Sequence, residues 1–416
     1  MHRREPGCPC GENLSRTPVR SGRAAFSIRG QGQPDMNIGN ADKPISPRVW
    51  VLTNPHPGNR IQAIALAEAL GWDYEVKELH FTRWARRRSF LPFLRLTAGL
   101  DRQKSSSLEP PWPDLVIGVG RSTAPITRWI GRISKGKTRT VQLGRGGGAV
   151  ASHYDAVVTP LHCRMPPDPR RYDALAPLNP ISRQQLSEAI SQWPELLNGA
   201  PRPVVALLVG GDASRFRLSA NDAANMALRV RHWSEESGGS VMAVTSRRTS
   251  QAATCALQSV LVAPHRVYTW QPDRYANPYR ALLAQADVLV VTGESESMLA
   301  EAATTTAPLY IFPVTEIKTT RFSSRLREWF VRRAYASFSR EMGKEKTAGP
   351  VDSACAWMMR HGLLRPRRDM NMLHEALLAC GRARPFGDPM QTAPQQPLRA
   401  EAPEVARWLK NVLRLD

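Results

Sequence analysis

The stretch "ADVLVVTGESESMLAEAATTTAPLYIFP", Ala286 to Pro313, passes from an apolar run through a Gly- and Ser-bearing elbow into an alanine-rich helical segment, then into a second apolar run. Two apolar runs of strand length separated by one helix are neighbours in a parallel sheet, since antiparallel strands need only a tight turn. Parallel strands are covered on both faces, which explains why neither run alternates polar with apolar residues. Glu294, Glu296 and Glu301 crowd the end of the first strand, an acidic cluster in a chain whose formal charge is +21.

The same alternation extends in both directions. "PVVALLVGG", a helix from about Ser219 to Gly238, "SVMAVTS", a helix near Gln251 and "RVYTW" lead up to the opening stretch. Upstream, "RVWVLT", "NRIQAIALAEALG", "YEVKELHF", "DLVIGVG", "STAPITRWIGRI", "RTVQLG" and "YDAVVTP" form an equivalent set. The expected fold is α/β, with two Rossmann-like doubly wound domains facing across a cleft between the carboxyl ends of their sheets. The expected organisation is an extension over 1–46, a first domain over 47–165, a strandless Pro-rich linker over 166–202, a second domain over 203–345, and helices with a tail over 346–416.

The 416 residues suit two cores, and no apolar run approaches the length of a membrane-spanning helix. Residues 1–46, rich in Arg, Ser, Gly and Pro, are expected to be disordered; Met36 suits an over-extended start, with an organelle transit peptide as the alternative. Cys8, Cys10, Cys163, Cys255, Cys355 and Cys380 lack zinc-site spacing and suit buried thiols in a reducing compartment. The positive charge calls for an anionic partner, but no RNP-like aromatic pattern, KH loop or zinc knuckle directs it to nucleic acid.

Ligands of such sheets bind at strand ends. In "LLVGGDASRFRLS", Gly210 and Gly211 permit a tight turn whose amides suit a phosphate, with Ser214, Arg215 and Arg217 as further donors. "AVTSRRTS" repeats the arrangement with Ser246, Arg247 and Arg248; its bland alternative is a solvated basic loop. Arg121 and the Gly146 to Gly148 turn are similar features of the first domain. In the opening stretch, Ser295 to Ser297 would cap a helix whose first amides face a phosphate, with Met298 on its first turn and the Glu301 carboxylate offered to a ribose diol. Equally, Glu294 and Glu296 would complement the helix dipole and Glu301 would be a solvated position.

On these residues the second domain resembles the donor half of GT-B glycosyltransferases, notably the N-acetylglucosaminyltransferase that makes lipid II. "VWVLTNPHPGNRIQAIALAEALG", "PDLVIGVGRSTAPITRWI", "LLVGGDASRFRLSANDA", "TSRRT" and "GESESMLAEAATT" together resemble the bacterial relatives of the elongated-mitochondria fission factor, a GT-B-like family, from about Val49 to about Pro313. The resemblance implies that Gly210, Gly211 and Ser214 hold the donor phosphates, that Trp270 and Gln271 lie beside the base, and that Glu301 binds the ribose. It places Asn54, Gly58, Asn59, Gln62 and Arg121 on the acceptor side. Asn59 stands where the lipid II enzyme has a histidine, Asn54 where the fission-factor relatives have an aspartate, and "GGDAS" replaces their Gly-Gly-Pro run. His56 is the nearest substitute base. No metal or other cofactor is expected, because no Asp-x-Asp pair follows a strand and arginines with helix ends can take the diphosphate charge.

Residues 81–100 and 321–338 interleave aromatics with arginine, the pattern of helices lying on an anionic membrane; packing of their apolar faces on the protein is the alternative. The expected activity is sugar transfer from a nucleotide diphosphate sugar to a lipid or glycan acceptor at the cytoplasmic face of a membrane, or at the mitochondrial surface in a eukaryote. The alternative is an inactive scaffold or adaptor with a protein partner.

Overall fold

A computed structural model of the protein describes residues 46–55, 57–82, 97, 99–144, 150–179, 181–213, 215–271, 277–317, 322–343 and 349–414. The first sheet carries strands β1 (Val49–Thr53), β2 (Tyr74–Glu78), β3 (Leu115–Val119), β4 (Arg139–Leu143), β5 (Ala156–Pro160) and β6 (Arg171–Ala174), in the order β2-β1-β3-β4-β5-β6. The second carries β7 (Val204–Leu208), β8 (Ser240–Val244), β9 (Arg266–Tyr268), β10 (Val288–Thr292), β11 (Leu309–Phe312) and β12 (Ala383–Pro385), in the order β12-β11-β10-β7-β8-β9. Every pairing within both sheets is parallel. Both sheets belong to one compact unit, Ser46–Asp416.

Helices α1 (Pro57–Leu70), α2 (Gly120–Ile133), α3 (Arg183–Gln192), α4 (Ala220–Glu235), α5 (Gln251–Val260), α6 (Tyr279–Gln285) and α7 (Glu296–Ala303) connect or cover these strands. The start of α4 shows why: the Ser219 hydroxyl accepts the Asp222 amide while the Asp222 carboxylate accepts the Ser219 amide, so two otherwise unmatched donors are satisfied reciprocally. Fully buried strand residues such as Val51, Ile117, Leu207 and Val290 exclude water from both faces of the sheets. Beyond β11 come α8 (Phe322–Glu341), α9 (Pro350–Arg360), α10 (Met370–Ala379) and α11 (Glu401–Leu413).

Two features depart from the expected layout. The stretch 166–202, expected to lack a strand, contains β6, the edge of the first sheet. The segment 346–416 does more than trail from the second sheet: β12 pairs with β11, and α11 then inserts Val405, Ala406, Leu409 and Leu413 into the core of the first sheet beside Leu66 and Leu70 of α1. Among the described residues, no helix is long and apolar enough to cross a membrane. Cys163 and Cys355 are buried as expected, whereas Cys380 is exposed.

Candidate functional site at the strand ends

Strands β10, β7 and β8 are adjacent, so the loops that follow them converge. The Gly210 amide donates to the Thr292 hydroxyl (2.8 Å) and the Gly211 amide to Glu294 Oε1 (2.7 Å). From the third loop, the Ser246 and Thr249 hydroxyls both donate to the Gly210 carbonyl. Arg248 extends one guanidinium nitrogen to Glu294 Oε1 (3.4 Å) and to the Ser295 hydroxyl (3.1 Å). The paired glycines are a steric requirement. A Cβ on Gly210 would lie 1.8 Å from Glu294 Oε1, and one on Gly211, whose φ is +141°, would lie 2.2 Å from the Arg248 carbonyl oxygen.

The turn expected to hold a phosphate therefore holds an internal carboxylate. Burial raises the Glu294 pKa; the Gly211 amide and Arg248 oppose that shift. Its Oε2 is buried without a hydrogen-bond partner among the described residues. A peptide amide and a guanidinium converging on one oxygen are the donor set of an oxyanion site.

Other expected donors are engaged elsewhere. Arg215 pairs with Glu316 (2.6 Å), and its backbone carbonyl accepts the Ile317 amide, which ties the loop to the segment after β11. Ser295 precedes α7, but its hydroxyl accepts from Arg248 and caps no helix amide. Arg247 and Ser297 are exposed, and Met298 packs against the core beneath the second sheet. The Trp270 amide donates to the Thr245 hydroxyl (2.8 Å), which places Trp270 and exposed Gln271 at the end of β9. Ser214 lies outside the described residues, as do His56 and the Gly146 to Gly148 turn.

The three glutamates of the elbow have separate environments, and none is simply a dipole complement. Glu296 accepts from His162 Nε2 (2.5 Å) at the end of β5 and from Arg368 (2.6 Å), so it joins the two sheets' loops. Burial would raise its pKa, but His162 and Arg368 outweigh burial and hold it low. The His162 backbone carbonyl also accepts the Asp369 amide, and the ring Nδ1 of His162 is buried without a partner among the described residues. Glu301 is not a solvated helix position: burial raises its pKa, with Tyr279 and Arg280 opposing. His374 Nε2 lies 2.7 Å from the Gly293 carbonyl, an acceptor, so that nitrogen carries the proton. Sequence reading did not find His162, Arg368 or His374, because each meets the elbow through the fold alone.

On the first sheet, Asn54 donates to the Ser122 hydroxyl (2.7 Å) and Asn59 donates to Asn54 Oδ1 (3.3 Å). Gln62 donates to the Gly58 carbonyl (3.3 Å), and Arg121 is exposed at the start of α2. Asn59 also explains Gly120, whose φ is +78° and where a Cβ would meet Asn59 Nδ2 at 2.8 Å. The grouping is one of amides and a hydroxyl, which orient a ligand but do not take a proton from one.

Two six-stranded parallel sheets carrying this strand-end loop cluster are the setting for the comparisons with known proteins. A family model described as "Mitochondrial fission ELM1" matches residues 57–363. The chain belongs to the mitochondrial fission ELM1 family. The mitochondrial fission protein ELM1 of Arabidopsis thaliana is 26% identical over 264 residues, 58% of this chain and 61% of that protein, so the match spans less than two thirds of the plant relative. An uncharacterised protein of Rickettsia prowazekii (strain Madrid E) is 24% identical over 297 residues, 64% of this ELM1-family chain and 82% of the relative. Among solved structures, the chain is similar to UDP-GlcNAc 2-epimerase from Methanocaldococcus jannaschii (12% identity, 88% and 99% coverage, TM-score 0.44). It is also similar to the S. aureus MnaA-UDP co-structure (12%, 89% and 98%, 0.43) and to the glycotransferase of kitacinnamycin (11%, 89% and 100%, 0.39).

Proposed function

We propose that this ELM1-family protein is a GT-B glycosyltransferase that passes a sugar from a nucleotide diphosphate sugar to a lipid or glycan acceptor at a membrane surface. The observation that carries the reading is the Gly211 amide and Arg248 converging on a buried carboxylate at the ends of β7 and β10. In this reading the donor diphosphate takes the place of Glu294, and the glycine turn, Ser246 and the first turn of α7 stabilise the departing diphosphate without a metal. Glu301 accepts from the ribose once Tyr279 moves aside, and Trp270 and Gln271 flank the base. The acceptor lies over Asn54, Gly58, Asn59, Gln62 and Arg121.

Membrane attachment rests on α8, which buries Val331, Ala334 and Phe338 while leaving Leu326 and Trp329 exposed. Arg325, Arg327, Arg332 and Arg333 are exposed on the same helix, the composition of an interfacial segment facing anionic lipid. The companion segment 81–100 lies largely outside the described residues.

Calorimetric titration of the full chain with UDP, GDP, ADP and CMP tests the donor site. One nucleotide should bind at micromolar concentration and weaken by about 1–3 kcal/mol in Glu301→Ala. Binding by none refutes the transferase reading. A second reading, an adaptor that keeps the pocket without transfer chemistry, rests on Asn54 and Asn59 on the acceptor side, whose amides take no proton. It predicts nucleotide binding with no consumption of any nucleotide sugar.

A further inference from the structure

A buried carboxylate that serves as a permanent strut engages both of its oxygens, because an unmatched buried polar atom costs stability. Three carboxylates of this fold do so. Glu296 accepts from Arg368 on Oε1 and from His162 on Oε2, Glu401 from the Leu175 and Ala176 amides, and Asp287 from Arg202 and the Val204 amide. Glu294 differs. Its side chain is fully buried, Oε1 takes both the Gly211 amide (2.7 Å) and Arg248 (3.4 Å), and Oε2 has no partner among the described residues.

Glu294 is therefore held weakly. Burial strips its carboxylate of water, which raises its pKa, and one oxygen receives nothing in return. The Arg248 contact is longer than the about 2.7–2.9 Å of a strong charge-assisted hydrogen bond. Arg248 keeps another contact without it, since the same nitrogen reaches the Ser295 hydroxyl (3.1 Å). Swinging Glu294 outward returns its charge to water and leaves the arginine anchored.

The space Glu294 fills is shaped for an anion's oxygen. Gly210 makes the room, since a Cβ there would collide with Glu294 Oε1. Through its two contacts Arg248 links the glycine turn to the start of α7, whose amides Ser295 leaves uncapped. An incoming anion must displace a carboxylate tethered beside the same donors, which competes as though present at about millimolar concentration or above. A single phosphate exchanges one anion for another on two donors and gains little. A diphosphate sets a second group against Ser295 and the first turn of α7, which Glu294 does not use.

We propose, resting on the donor-site reading above, that Glu294 is a tethered stand-in for the ligand's anionic end. It sets the threshold that a ligand must exceed, so that the turn takes diphosphates and stays closed to monophosphates.

Calorimetry on the full chain compares the parent with Glu294→Gln and Glu294→Ala, using UDP, GDP and ADP, the matching monophosphates, and inorganic pyrophosphate. A displaced competitor lowers every ligand's affinity by one factor. The expected result is that a diphosphate binds the parent, that each variant binds it about tenfold more tightly, and that pyrophosphate and the monophosphate gain by the same factor. In the parent, the NMR signal of the Glu294 carboxyl carbon should move to that of a solvated glutamate as the diphosphate saturates, which tests displacement without any substitution. Diphosphate binding that is unchanged or weaker in both variants, a gain that grows with ligand charge, or a carboxyl signal that stays in place overturns the stand-in and leaves the donor site standing. Binding that appears only in the variants upholds the stand-in and removes the transferase reading. Binding by no probe to any of the three proteins overturns both.

Discussion

Replacing Arg382 with methionine should destabilise the protein by about 3–5 kcal/mol, although among the described residues the side chain pairs with no carboxylate. Arg382 is 3% exposed and donates to the carbonyls of Ala303 (2.7 Å), Thr305 (2.8 Å), Ala302 (2.9 Å) and Ala307 (3.0 Å), and to Gln395 Oε1 (3.1 Å). These carbonyls belong to the end of α7 and the turn beyond it, where helix geometry leaves acceptors without partners. Burial lowers the Arg382 pKa to about 10, so the cation is held there at a cost that its hydrogen bonds must exceed. Methionine keeps much of the length and removes every donor. Each hydrogen bond contributes about 1 kcal/mol net, and a carbonyl left dry costs about 1–3 kcal/mol, partly relieved by entering water. Urea unfolding measures the loss, and Arg382→Lys, with three donors and no planar fork, should recover part of it. A loss below about 1 kcal/mol for Arg382→Met would refute the reasoning. Because α7 begins at the elbow beside the glycine turn, the methionine variant should also weaken nucleotide binding.

Gly211→Ala should cost about 1–3 kcal/mol from backbone strain alone, plus the clash with the Arg248 carbonyl, and should abolish nucleotide binding. Gly71→Ala, at φ +73° in open space, should cost only about 1–2 kcal/mol and leave binding unchanged, as thermal unfolding and titration would show. The raised pKa values of Glu294, Glu301 and Glu401 mean that folding takes up protons between the ordinary carboxylate range and the raised values. Their stabilising contribution is complete below that window and is lost as pH rises through it, so Glu294→Gln should shrink the stability difference between about pH 5 and about pH 8 in urea melts. Leu409→Ala in α11 should cost about 2–5 kcal/mol and expose α1 to limited proteolysis, since Leu409 fills the core of the first sheet.

The sequence was most informative where burial and geometry coincide. The opening stretch forms β10, α7 and β11 because two short apolar runs flank a segment of good helix formers. Strand β6 was missed because "RYDA" is a four-residue edge strand with one neighbour and no apolar alternation, set among prolines. Only three residues long and ending in Pro385, β12 gives no periodicity to detect. At the site, the two glycines were legible because the chain turns sharply there. Glu294 was not legible as their partner, because that bond joins residues 83 positions apart. His162 and Glu296 meet across 134 positions, through an arrangement of two sheets that local pattern does not encode. The pairing of Arg215 was hidden for a related reason: an arginine beside a glycine turn looks available for an anion until the segment after β11 brings Glu316 against it.

The return of α11 to the first sheet has a consequence for biosynthesis. The core around α1 cannot close until α11 has been made, although α1 ends at Leu70 and α11 begins at Glu401. At roughly 5–20 residues per second, the ribosome leaves that apolar face uncovered for tens of seconds while the second sheet is made. The half of the molecule that emerges first is therefore the half that finishes last, and during synthesis it is the natural client for a chaperone that shields apolar surface.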